Sequence, residues 1–87
     1  MTVRSAKVVE RGTIVVTEAT LKKREVFETK VSTDDTIPLG DFTTINSAHL
    51  AKKSDGSEVT CTIATNVITV TGAGLTDVDV VGFAIGV

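Results

Sequence analysis

The chain is expected to be all-β, a small β-sandwich or barrel of about six to eight short antiparallel strands. Three observations carry this expectation. Thr, Val and Ile make up 35 of the 87 residues, and side chains branched at Cβ suit a pleated surface better than a helix. Turn residues punctuate the chain at short, fairly even spacing, and the segments between them alternate apolar with polar. No segment carries apolar residues at helical spacing over more than a turn.

Residues 3–9, "VRSAKVV", read as an irregular first strand or an extended arm. Residues 1–12 are therefore set apart as arm or first strand, and 13–87 form a single β-domain. Gly12 precedes "TIVVTEAT", a strand. In "LKKREVFETKVS", Leu21 meets only Arg24 and Glu25 at helical offsets, whereas Phe27, Thr29 and Val31 alternate with Val26, Glu28 and Lys30. This predicts a hairpin whose turn contains Lys22 and Lys23. "TDDTIPLGD" breaks the pattern with two aspartates, the single proline and a glycine, and reads as a loop or short edge segment.

"FTTINSAHLAKK" alternates Ile45, Ser47, His49 and Ala51 against Thr44, Asn46, Ala48 and Leu50. It fits a strand, although its period is not clean. "SDGS" is a hairpin signal, because Asp-Gly supplies the positive φ of tight β-turns. Glu58, Thr60 and Thr62 then make a wet face, and Val59, Cys61 and Ile63 a dry one. "ATNV" is the next turn, with Asn66 expected in the left-handed region. Val67, Thr69 and Thr71 alternate with Ile68 and Val70 before "GAG". The last segment, "VDVVGFAIGV", is apolar on both faces from residue 80, which places it in a sheet centre or against another chain. The three C-terminal strands are expected to form a meander.

A domain of this length buries only about 60–65% of its unfolded surface, so disulfides, a metal or a partner commonly add stability. The single cysteine, Cys61, makes no bridge within the chain, and no cluster of metal ligands is visible. A partner subunit is the remaining source. The apolar residues assigned to such contacts are Val3, Val8 and Val9 in the arm, and Val81, Phe83, Ile85 and Val87 in the last strand. All nine Lys and Arg precede residue 54, and the acids Asp55, Glu58, Asp77 and Asp79 follow it with no base. Such polarity can orient contacts between copies.

Catalysis finds no constellation. His49, the only histidine, has no identifiable nucleophile or orienting carboxylate. Cys61 lies on an apolar face, which disfavours a reactive thiolate. Asp34-Asp35 and Asp77-x-Asp79 supply two carboxylates each, short of the six to eight oxygens that calcium takes. "TGAGLT" holds a lone GxG without the third glycine or following helix of a dinucleotide site. With no Trp or Tyr and three Phe, and little positive excess, nucleic acid is not an expected partner. No leader with a continuous apolar core is evident, and "VVGFAIGV" is far short of the about 20 residues that span a bilayer. The expectation is therefore a chain that is not an enzyme and has no catalytic residues, cofactor or metal.

The "DGSEVT" hairpin followed by "NVITVTGAGLTDVDVVGFAIGV" resembles small β-rich virion structural proteins of tailed bacteriophages, head decoration or cement proteins among them. The resemblance covers residues 54–87 and brings no catalytic or binding motif. It implies a capsid decoration protein that binds and stabilises the phage head in many copies. It also implies a homo-oligomer, with a trimer favoured, and the major capsid protein or other virion subunits as partners. Such a protein is made in the host cytoplasm and resides in the virion. The alternative is a small β binding module of a phage tail or cell-surface assembly that recognises a protein or carbohydrate through "STDDTIPLGDF", with Asp34, Asp35 and Asp41.

Overall fold

The computed structural model describes residues 2–17 and 20–87. They form eight strands and no helix: β1 (Lys7–Thr17), β2 (Thr20–Val31), β3 (Thr36–Pro38), β4 (Ile45–Lys52), β5 (Glu58–Val59), β6 (Cys61–Ala64), β7 (Val67–Val70) and β8 (Val78–Gly86). Two antiparallel sheets result, one in the order β1-β2-β8-β4-β5 and one in the order β3-β7-β6. The molecule is a small β-sandwich.

Alternation decides which side chains enter the core. Phe27 and Val31 on β2, Leu50 on β4, and Val80 and Ala84 on β8 face Ile37, Ile68 and Val70 of the smaller sheet, and all are buried. Burying a side chain of this size contributes roughly 1.5–3 kcal/mol. Leu39 and Phe42, between β3 and β4, close one end. The irregular period of β4 has a local cause. A register shift between Ile45 and Ser47 turns the strand by one residue, so Ile45 and Leu50 are both buried despite their odd spacing.

β8 lies at the centre of the large sheet, between β2 and β4. The expected meander is thus corrected: β6 and β7 form a hairpin in the small sheet, while β8 crosses to the large one. Its apolar run suits that place, since Val80, Gly82, Ala84 and Gly86 are buried on one face. Gly86 passes so close to β4 that an added Cβ would lie 2.1 Å from the Thr44 carbonyl oxygen.

The β1–β2 ladder corrects two further expectations. Gly12 lies inside β1, opposite Arg24, and does not interrupt it. Lys22 and Lys23 lie inside β2, opposite Ile14 and Thr13, and not in a turn. Their long polar side chains suit the exposed end of a ribbon, for β2 gains its second neighbour, β8, only from Lys23 onward. Glu18 and Ala19 of the expected "TIVVTEAT" strand lie outside the described residues.

The remaining turns follow local chemistry. In "SDGS", Gly56 has φ 75° and its N–H donates to the Lys52 carbonyl at 2.8 Å. Asp55 accepts from both the hydroxyl and the N–H of Ser57. In the β6–β7 turn it is Thr65, not Asn66, that takes positive φ, at 56°. Asn66 serves as a tie instead, donating through Nδ2 to the Phe42 carbonyl and accepting from the Leu39 N–H. The wet and dry alternation of residues 58–63 persists although the chain changes sheets at Thr60.

Candidate assembly surface

The outer face of the large sheet carries side chains in three rows fixed by the ladder. Val26, Phe83 and His49 lie side by side across β2, β8 and β4. Arg24, Ile85 and Ser47 form the row on one side, and Glu28, Val81 and Ala51 the row on the other. The His49 ring stacks on Phe83 with centroids 5.1 Å apart. Phe83 nonetheless remains 39% exposed at the middle of the sheet. A depression of about 170 Å³ opens beside it, walled by Val26, Val81, Ala51 and Arg24. Two ion pairs flank the apolar strip, Arg24 with Glu10 and Lys53 with Glu28.

The seven apolar residues nominated for contact separate into four places. Val81, Phe83 and Ile85 line the outer face together. Val87 is held at the end of β8 by hydrogen bonds with Thr43 and Thr44, and is 42% exposed. Val3 makes a parallel bridge to Thr36, at the edge of the small sheet. Val8 sits opposite Phe27 on the large sheet, and Val9 is the extra residue of a bulge, exposed on β1. Residues 2–4 and 7–12 therefore belong to different sheets. Among the described residues, no strand pairs with the outer edge of β1.

The acidic residues are tied down by arginines that the sequence reading did not connect to them. Asp35, only 2% exposed, accepts from Arg4 Nε at 2.6 Å, from Ser32 N–H at 2.8 Å and from Thr2 N–H at 3.0 Å. Burial alone would push this carboxyl up. The donors outweigh it, Arg4 first, and hold Asp35 below the usual aspartate range. Arg4 also donates to Asp77 at 2.8 Å, so a guanidinium fills the space between the two acidic segments. Among the described residues, no group of three or more His, Cys, Asp or Glu is placed to hold a metal ion.

A second buried acid, Glu25, lies on the face of β2 that carries Phe27. There it meets Arg11, which is exposed and also pairs with the exposed Asp41. Arg11 Nε donates to Glu25 at 3.2 Å. Burial, and then the neighbouring Asp41 carboxyl, push Glu25 up; Arg11 opposes them without cancelling them. The alternation of residues 25, 27, 29 and 31 foretells this inward position. The remote partners Arg4–Asp35 and Arg11–Asp41 have no such signal.

Cys61 is half-buried, and burial followed by the charge of Glu58 pushes its thiol up, away from the reactive thiolate. Asp34 is an exposed turn residue with φ 72°. Asp79 faces outward beside Lys30. No helix among the described residues is long and apolar enough to cross a membrane. No protein-family model, curated protein or solved structure matches the chain.

Proposed function

We propose that the chain is a virion structural protein of a tailed bacteriophage, a decoration or cement protein that binds the head in many copies and stabilises it. The observation that carries this reading is the outward row Val81, Phe83 and Ile85 on the central strand β8. An antiparallel sheet with one face in solvent alternates apolar inward and polar outward; here three consecutive outward positions of the central strand, after Asp79, are apolar as well. An apolar strip rimmed by charge is the composition of a contact surface.

A protein of this kind needs a contact with the shell as well as with its own copies. The free outer edge of β1 supplies unpaired main-chain donors and acceptors to which a strand of the major capsid protein can add. The bulge at Val9 and the charges of Lys7, Glu10 and Arg11 restrain that edge from indiscriminate pairing. Modest contacts repeated over many sites become firm attachment through avidity. The reading includes a homo-oligomer, synthesis in the host cytoplasm and final residence in the virion. It assigns no cofactor, nucleic acid or membrane. The binding-module alternative has no comparable support, because Asp35 and Asp41 are engaged by Arg4 and Arg11.

The test is add-back. Heads grown without the gene should release their DNA at a lower temperature than complete heads, and the purified chain should restore the difference. Heads that neither take up the chain nor change their release temperature would rule this function out.

A further inference from the structure

The outer face of the large sheet matches itself under a two-fold rotation, and we propose that it binds a second copy of the chain face to face. The axis lies across the strands, along the row Val26, Phe83 and His49. Half a turn about that line lays each strand over its own counterpart, β2 on β2 and β8 on β8. Arg24 and Glu28 stand two residues to either side of Val26 on the same face of β2. Arg24 therefore meets Glu28 of the second copy, and Glu28 meets Arg24. On β8, Ile85 meets Val81; on β4, Ser47 meets Ala51. Only the central row meets itself, and Glu10 of β1, opposite Val26, extends that row, so the two Glu10 carboxylates share the end of the axis while each keeps its own Arg24 as counter-charge.

The charge pattern selects this arrangement over the other two-fold. An axis along the strands would lay β2 over β4, with Arg24 against Ser47 and Glu28 against Ala51, leaving both charges without an opposite. With the axis across the strands, the existing ion pairs join into alternating chains: Glu10, Arg24, then Glu28 and Lys53 of the second copy. Electrostatic complementarity of this sort fixes register and rejects wrong partners.

Shape agrees with charge. The depression beside Phe83 measures about 170 Å³ and is walled by apolar side chains of all three strands. Phe83 of the second copy, close to the axis, enters it, and the exchange is reciprocal. The rings then meet offset, the geometry that aromatic pairs prefer.

This inference rests on the reading that the outer face is an assembly contact, but it concerns the free protein and is tested without particles. Its failure would therefore leave head attachment to be judged by add-back alone. Sedimentation equilibrium of the full chain should show a monomer–dimer equilibrium. Arg24→Glu and Glu28→Arg each place like charges across the axis twice, and each should weaken the dimer roughly ten-fold or more. An equimolar mixture of the two variants restores opposite charges and should recover the wild-type affinity as a heterodimer. Phe83→Ser, which changes no charge, should abolish pairing, with circular dichroism confirming that every variant is folded. A wild-type chain that stays monomeric, forms a trimer, or pairs equally well in the single charge variants would overturn the proposal. So would a mixture that fails to recover, or a Phe83→Ser dimer of wild-type affinity.

Discussion

Arg4 and Asp35, 31 residues apart in sequence, form a 2.6 Å ion pair that ties the start of the chain to the loop between β2 and β3. The loop is itself fastened to the segment before β8, through Thr33 with Gly72 and Leu75, and to the end of β7, through Asp34 with Val70. The N-terminal segment is thus part of the sandwich.

The pair contributes stability that acid removes. Asp35 has its folded pKa below the unfolded value, so its contribution is complete above the ordinary aspartate pKa of about 3.9. It is lost as pH falls through the lower, folded value. Asp35→Asn should lower the melting temperature at pH 7 and flatten the loss of stability below about pH 4. Thermal melts of both proteins at stepped pH check this. A variant with the wild-type acid profile would show that Asp35 is not the group responsible.

Glu25 runs in the opposite sense. Its folded pKa lies above the unfolded value, so ionising it opposes folding at neutral pH. That penalty is relieved as pH falls through the folded pKa toward the unfolded value, about 4.3. Glu25→Gln should therefore be at least as stable as wild type at pH 7 and lose the rise in stability that wild type shows on mild acidification. Chemical denaturation at pH 7 and pH 5 separates the two profiles. A variant much weaker at pH 7 would mean that the Arg11 contact outweighs desolvation.

Two glycines of β8 should differ sharply. A Cβ at Gly82 would press on the ends of Leu50 and Phe27 side chains at 2.6 and 2.7 Å, which can shift. At Gly86 it would meet the Thr44 carbonyl and the Ile45 Cα, which are backbone. Gly82→Ala should cost about 1–3 kcal/mol, the usual range for overpacking, and Gly86→Ala more. On a domain of this size each kcal/mol lowers the melting point by roughly 4–8 °C. Equal melting points for the two variants would contradict this ranking.

The His49–Phe83 stack should be measurable in the monomer. A double-mutant cycle with His49→Ala and Phe83→Ala should return a coupling of about 0.5–1.5 kcal/mol in favour of the pair. Dilute conditions, below any self-association, isolate the contact. Additive single effects would mean that the rings are neighbours without mutual stabilisation.

What could be read from the residues was set by short-range physics. Alternation along β2 and β7 places Phe27, Val31, Ile68 and Val70 inside, and the two-sided apolar run of β8 places it at a sheet centre. Errors arose where tertiary pairing overrides local preference. Gly12 and Lys22-Lys23 look like breaks, yet the long β1–β2 ladder carries them through. Asn66 is the better left-handed residue in isolation, but its side chain is used to hold Phe42, and Thr65 takes the strained φ. On the outer face, Phe83 and its neighbours on β8 were legible as contact candidates. Val26, Arg24 and Glu28 were not, because only the register of three strands sets them beside Phe83. The Arg4 and Arg11 ties depend on which loops meet, and residue spacing carries no trace of that.

A decoration protein of the kind proposed is a repeated component of the particle. The decisive quantity, under that proposal, is the amount of the chain in purified particles of a phage whose genome carries its gene, expressed per copy of the major capsid protein. The ratio should be fixed, reproducible between preparations and restored when stripped heads are incubated with the purified chain. Purified particles devoid of the chain, with all of it free in the lysate, would contradict it.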